Sequence, residues 1–517
     1  MNGSTSSSLS RFKLPGCHCR NPTGPPGVTG LREESREMAL LKATDPQGGR
    51  KRREDVIDLS MADPHNTGLR PLTFVRQPGV PGAAGRVPAV QTSSQRFTLP
   101  HPAVLAACIY PPLTNSDKLP ADVRQRAQRL LGACAGGSVG SYTPTGGMAY
   151  IQQSLCTFIS QRDGGVPALP GNIFITCGSQ TSIMQIFNLL VNGEGSPKTG
   201  VLTPVPSHHF ANSILEGLGA TVVPYYLNEE QGWELQRAEL RRALQSARGI
   251  CNPAALYVVN PGNPTGHVQS RKSIQDVIQF VSEEKLFLLA DEVYQETVLG
   301  EESEFVSYKR VLAEMGPPHS DTVELASFHS VSKGLMGECG LRGGYVELVN
   351  LDPAVMKHVN TQFSTLAGSA ATGQIALDLM ANPPQPGDPS YRTYEEETQY
   401  IKATLVQNVK RVTEVLNDLP GLSCQPVKGG AVVFPRLHLP PGAIQRAEVA
   451  EEGMPPDCFY SRRLFEEAGL CVSPGCEHGQ REGTHHVRFC VTTTPDTMEE
   501  ALRRLAGFHT QFMKDFS

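Results

Sequence analysis

No run of 18 apolar residues occurs in the 517-residue chain, so nothing in it reads as a membrane-spanning helix. Dense positive charge is equally scarce. Residues 50–53 are the one basic cluster, the formal net charge is -5 and the pI is about 6.3. Those values exclude an extended polyanion-binding face, and no nucleic-acid partner is expected. The 13 cysteines include no C-x-x-C pair. The nearest two, Cys17 and Cys19, flank His18 in a Pro/Gly-rich tail without the further ligands that zinc needs, so no metal site is expected. Others, such as Cys177 and Cys490, lie in apolar runs and read as small buried hydrophobes in a reducing compartment. No secretory apolar segment follows Met1, and no acid precedes Glu33. Arg11, Lys13, Arg20 and Arg32 lend this tail the composition of a mitochondrial presequence. Pro15, Pro22, Pro25 and Pro26 would break the helix such a signal needs. A cytoplasmic location is expected, with mitochondrial import as the alternative.

What is present is enough apolar side chain for a sizeable interior. Hydrophobic residues make up 39% and charged residues 19%, and the length favours more than one domain. Residues 1–53 are polar and aperiodic and are expected to be disordered. Residues 54–104 read as an N-terminal arm or small-domain piece carrying a Pro/Gly-rich insertion at 78–102. From 105 to 375 short apolar runs alternate with helical patterns. Strands are expected at 171–177, 200–203, 255–259, 285–290, 322–326 and 344–349. Ile274, Val277, Ile278 and Val281 mark a helix over 273–284. Strands buried on both faces and separated by helices imply an α/β layer with a mainly parallel sheet. Residues 376–517 are expected to form a smaller α/β domain. It holds a long amphipathic helix over 395–419, ended by Pro420-Gly421, and a last helix opening at Thr494-Pro495.

In such sheets ligands bind in loops beyond the carboxyl ends of the strands. Four of these loops carry polar residues that packing does not require. Asn260-Pro-Gly-Asn-Pro-Thr-Gly266 holds the Asn263 amide on a stiff backbone. Asp291-Glu-Val-Tyr294 places an acid directly behind apolar residues, where it needs a cation or hydrogen-bond donor; a salt bridge or helix cap would also meet that need. Ser327 to Gly334 reads as a strand exit that presents Lys333 among hydroxyls, as surface or as a nucleophilic amine. Arg342-Gly-Gly344 suits bidentate capture of phosphate or carboxylate. Each loop is weak evidence alone. Together they match the parts that pyridoxal phosphate chemistry needs: an amine, a carboxylate for the pyridine nitrogen, donors for the ring oxygen and a cation for the phosphate.

The residues also resemble a family. Asn263-Pro-Thr-Gly266, Asp291-Glu-Val-Tyr294 and Ser330-Val-Ser-Lys333 are similar to the cofactor motifs of class I pyridoxal 5'-phosphate-dependent aminotransferases, within that class most nearly those of alanine aminotransferases. The resemblance runs from about residue 104 to 517, with a short piece at 55–77. It implies an aspartate aminotransferase-like α/β fold and a role in amino-acid catabolism. It implies transfer of an amino group between an L-amino acid and a 2-oxo acid, L-alanine and 2-oxoglutarate giving pyruvate and L-glutamate.

Carried over residue by residue, Lys333 corresponds to the Schiff-base lysine and Asp291 to the partner of the pyridine nitrogen. Tyr294 and Asn263 correspond to the residues on the ring oxygen. Ser330, Arg342 and the turn Gly178-Ser179-Gln180 correspond to the phosphate cradle. Tyr142 resembles the tyrosine that reaches a neighbouring subunit, which implies a homodimer, and Arg488 the arginine that clamps the substrate carboxylate.

Some positions depart from the family. His208 stands where a cofactor-stacking tyrosine is usual, Gln180 and Thr181 replace a Ser-Asp pair, and Ala62 replaces a glycine beside the substrate. A family arginine is replaced near Leu366. These leave open another amino-acid aminotransferase, a carbon–sulfur lyase, or a non-catalytic relative kept for binding.

Overall fold

The computed structural model describes residues 56–69, 71–74, 104–191, 197–300, 303–366, 368–450 and 453–517. The N-terminal tail, its Cys17–Cys19 cluster and the insertion at 78–102 lie outside them. Among the described residues no helix is long and apolar enough to cross a membrane. Residues 56–517 form one compact unit.

Its centre is a seven-stranded sheet. The strands are β1 (Ile173–Thr176), β2 (Thr199–Val205), β3 (Thr221–Tyr226), β4 (Asn252–Val259), β5 (Phe287–Asp291), β6 (Leu325–Ser330) and β7 (Gly344–Val349). Their spatial order is β1-β7-β6-β5-β4-β2-β3. Strands β3, β2, β4, β5 and β6 pair in parallel, and β7 runs antiparallel to both β6 and β1. The mainly parallel sheet expected from the apolar runs is present, with one reversed strand.

The runs are apolar throughout because both faces are covered. Leu288 and Ala290 of β5 pack with Ile274, Val277, Ile278 and Val281 of helix α2 (Arg271–Glu284). Phe287 and Leu289, pointing the other way, pack with Ile183, Ile186 and Phe187 of helix α1 (Ser179–Leu190). Burying side chains of this size contributes about 1.5–3 kcal/mol each. Helix α2 is set by its ends: the Ser270 hydroxyl accepts the Ser273 N–H at 3.1 Å, and Lys285 stops the helix in a left-handed conformation.

Two expectations are corrected. Ser327 to Ser330 belong to β6 rather than to a loop, and that strand starts at Leu325, after a short helix His319–Thr322. Polar residues sit inside the sheet because partners await them: the Ser327 hydroxyl donates to Glu292 at 2.6 Å. β3 was not anticipated; it pairs along one edge of β2.

Beyond the sheet come helix α3 (Tyr391–Asp418), helix α4 (Pro456–Ala468), the short strands β8 (Ser473–Pro474) and β9 (Val487–Cys490), and helix α5 (Pro495–Asp515). Ile401, Leu405, Val412 and Leu416 of α3 share one core with Met498, Leu502, Leu505 and Phe512 of α5. The Thr494 hydroxyl caps α5 by accepting the Thr497 N–H at 3.3 Å.

Beneath β6 lies a buried polar layer. Lys309 pairs with Glu347 at 2.5 Å and Arg162 with Asp163 at 2.7 Å. His329 is fully buried beside Arg162. Burial, and then the Arg162 charge, push its imidazole down from 6.5 to about 3. The unfolded chain takes up that proton on acidification and the folded chain does not, so this group costs stability as pH falls from about 6.5 towards 3. His329→Phe should therefore gain about 2 kcal/mol relative to the wild type between about pH 7 and about pH 5. Urea denaturation of both proteins at each pH reads that difference; a constant gap would refute it.

Candidate active site

The carboxyl ends of β4, β5 and β6 converge with the start of β7. Asp291, the last residue of β5, sits between Val259 of β4 and Phe328 of β6 in register. Its Oδ2 accepts the Tyr257 hydroxyl at 2.8 Å, and its Oδ1 accepts the Val293 N–H at 3.4 Å. Burial raises this carboxyl from 3.8 to about 6; the Tyr257 and Val293 hydrogen bonds and the nearby Lys333 charge work in the opposite direction. Lys333 is thus close enough for its charge to act on Asp291. Its Nζ donates to the Ala62 carbonyl at 3.4 Å.

Ala62 also packs against Val293, Tyr294 and Ala431, which brings the N-terminal segment into the site. Tyr294 is 2% exposed, and its phenol oxygen accepts the Asn263 amide at 3.4 Å. The other half of that amide, Oδ1, is buried without a partner among the described residues.

A second group of donors gathers where β1 passes into α1. Arg342 adopts φ +58° and donates from its two terminal nitrogens to Cys339 O at 2.9 Å and to Cys177 O at 3.0 Å. One of them also lies 3.5 Å from the Ser332 hydroxyl. The guanidinium fills the space beside Gly178, where a Cβ would come within 2.6 Å of it. Gly178 itself has φ +99° and opens α1. Gly344, paired with Ser330, admits no side chain either: its Cβ would lie 2.4 Å from the Ser179 nitrogen. The Arg342 guanidinium therefore lies against the start of α1, with the Ser332 hydroxyl beside it. A helix N-terminus with an adjacent guanidinium is a site for a dianion.

Arg488, on β9, is buried; it donates to the Ser60 carbonyl and to the Ser473 hydroxyl, at 3.2 Å for the latter, and its Nε has no partner among the described residues. Ser60 lies two residues before Ala62, so Arg488 and Lys333 hold the same short segment. His208 is half-buried, accepts the Phe210 N–H at 3.3 Å and stacks on His209 with ring centroids 4.5 Å apart.

Two expected site residues are not drawn in by the single chain. Tyr142 is 90% exposed, and the Gln180 side chain faces solvent at the edge of the turn. Leu366 packs on the α1 side of the sheet. Cys490 is buried as expected, whereas Cys177 is half-buried, and its carbonyl serves Arg342. The sequence reading missed Tyr257, whose phenol is hidden inside an apolar run, and Ser60 and Ser473, which hold Arg488.

The donor set suits pyridoxal phosphate. It offers an amine for an aldehyde, a buried carboxylate for a ring nitrogen, a phenol–amide pair for a ring oxygen, and the arginine-lined helix start for a phosphate.

Comparison with known proteins agrees. The family profile "Aminotransferase class I and II" matches residues 103–505. Alanine aminotransferase 2 of Xenopus tropicalis is 44% identical over 471 residues, covering 91% of this chain and 84% of the relative. Alanine aminotransferase 1 of Homo sapiens is 45% identical over 471 residues, covering 91% and 89%. Among solved structures, alanine aminotransferase from Pyrococcus furiosus superposes with a TM-score of 0.67 at 17% identity, covering 94% of this chain and all of its own; at that identity it speaks for the fold alone. With the site assembled on this fold and the family profile spanning residues 103–505, the chain belongs to the class I and II aminotransferases and is a pyridoxal phosphate-dependent aminotransferase.

Proposed function

We propose that this enzyme transfers the amino group of L-alanine to 2-oxoglutarate, giving pyruvate and L-glutamate by a ping-pong cycle. One set of contacts supports the assignment of roles: the Lys333 charge acts on Asp291, which Tyr257 also serves, and Ala62 links Lys333 to the Asn263–Tyr294 pair. The substrate choice rests on the 44–45% identity to alanine aminotransferases. The bound cofactor supplies an electrophilic aldehyde carbon and an electron-withdrawing ring that acidifies the substrate Cα–H.

In this reading Lys333 Nζ is first the nucleophile and then, released by substrate, the base and acid that moves a proton from and to Cα. The Ala62 carbonyl orients that amine. Asp291 keeps a positive charge on the ring nitrogen. Raised to about 6, its carboxyl still loses its proton at neutral pH, and a neighbouring cation would hold it ionised more firmly. Arg342, Ser330 and the backbone of the Gly178-Ser179-Gln180 turn at the start of α1 would hold the phosphate. Arg488 takes the substrate α-carboxylate; its buried Nε remains available for an incoming oxygen. His208 would offer the cofactor ring a stacking surface of less area than a tyrosine's, with a titratable charge. The exposure of Tyr142 supports a role for it in the site of a second copy of the chain, in a homodimer. The eleven cysteines among the described residues, none in a disulfide, suit the cytoplasm.

Lys333→Ala should lose 2-oxoglutarate-dependent pyruvate formation from alanine by at least ~10³-fold. Borohydride, which fixes cofactor to the Lys333 peptide of the wild type, should leave the variant unlabelled. Wild-type turnover in that variant would overturn the assignment. Tyr257→Phe removes a donor that stabilises ionised Asp291, so the carboxyl should hold its proton to higher pH. Cofactor affinity, titrated against pH, should then fall off on the acid side at a higher pH than in the wild type. An unshifted acid limb would show that Tyr257 does not tune Asp291.

A further inference from the structure

Helix α4 opens with Pro456, and its next residue, Asp457, is fully buried against the turn Gly475–His478. Asp457 Oδ2 accepts the Cys476 N–H at 2.5 Å and the Gln480 amide at 3.1 Å. Its Oδ1 is buried with no partner among the described residues. The next residue, Cys458, brings its Sγ to 3.0 Å from Cys476 Sγ. One carboxylate oxygen and the two sulfurs lie within 4.8 Å of one another. Gln480 and the turn's own backbone thus fix one carboxylate oxygen, and the other has no donor among the described residues.

A buried acceptor without a donor is costly, and two groups able to become anions beside it add to that cost. The charges bear this out in direction. Burial raises Asp457, and Cys476 is raised by Cys458, burial and Asp457. A cation would relieve all three at once.

We propose that Asp457, Cys458 and Cys476 bind a thiophilic divalent cation of the zinc class, at a site distinct from the cofactor cleft. Binding replaces two S–H protons, released to solvent, with two sulfur–metal bonds, and Asp457 Oδ1 supplies the third ligand. Two thiolates and one carboxylate favour zinc over the hard cations magnesium and calcium. Zinc–sulfur bonds of about 2.3 Å in tetrahedral geometry set the sulfurs about 3.8 Å apart, so the pair opens by about 0.8 Å. Water takes the fourth position, with His485, whose charge acts on Asp457, alongside. Asp457 Oδ2, held by the Cys476 N–H and Gln480, orients the ligand oxygen. The spacing of 18 residues between the cysteines matches no compact metal motif, which is why the sequence offered no sign of it.

The site ties the start of α4 to a turn that reaches the cleft. The His478 carbonyl accepts the Ser207 N–H at 2.8 Å, directly before His208. The cation would brace the loop that presents that ring.

The test uses the full chain, reduced with a phosphine and stripped with chelator, then titrated with Co²⁺ as a spectroscopic probe and with Zn²⁺. The wild type should bind one more equivalent of Co²⁺ than Cys458→Ser or Cys476→Ser. It should also show a sulfur-to-cobalt charge-transfer band that each variant lacks. Asp457→Asn should keep the band and bind at least ~10-fold more weakly. Zn²⁺ should raise the Tm of the wild type and not that of Cys476→Ser. Near-UV circular dichroism checks that each variant folds, and Cys458→Ala replaces any serine variant that does not. Equal Co²⁺ uptake by wild type and cysteine variants would overturn the proposal. So would a reduced wild type that takes up no metal and whose sole chemistry is a 458–476 disulfide, seen as the loss of two hydrogens in non-reduced peptide mapping.

Discussion

The site depends on keeping a carboxylate charged at the end of a buried strand. Water solvates an exposed aspartate; here β4 and β6 flank Asp291 on either side. What replaces the water is a phenol from the neighbouring strand, a backbone N–H two residues on and a lysine across the cleft. Together they offset only part of the burial, so the group rests near about 6. That residual strain is informative. A carboxyl satisfied entirely by the protein would have little to gain from a protonated ring nitrogen; this one has room for a further cationic partner.

The β-layer arises from the same economy of partners. Apolar residues on both faces of strands such as β5 made those strands readable as uninterrupted runs, and α2 announced itself by the spacing of Ile274, Val277, Ile278 and Val281. Strand direction is not written in any such period. β7 follows β6 through residues 331–343, which form no helix to cross the sheet, and lies antiparallel beside it. Residues 327–330 looked like a loop because polarity usually means solvent. Here it means Glu292, which takes the Ser327 hydroxyl.

Of the site, the residues legible in sequence were those with chemistry unusual for their surroundings: Lys333 between small residues, Asp291 behind a hydrophobic strand, Arg342 beside glycines. Supporting residues were not legible. Tyr257 looks like packing until the sheet sets it against Asp291. Ser60 and Arg488 are separated by 428 positions, and only the folded chain joins them. The same holds for Asp457, Cys458 and Cys476, where a helix start and a turn supply one ligand set.

Arg342 shows what this arrangement achieves for an anion. Its two terminal nitrogens are already engaged by the Cys177 and Cys339 carbonyls, and Gly178 leaves its guanidinium a fitted seat. A long cationic side chain ordinarily surrenders rotamer freedom when it captures a phosphate; here that freedom is spent during folding, and association meets a stationary charge. The corollary is intolerance: a lysine of equal charge has no planar fork to lie between two carbonyls, so charge conservation at this position would not conserve the pocket.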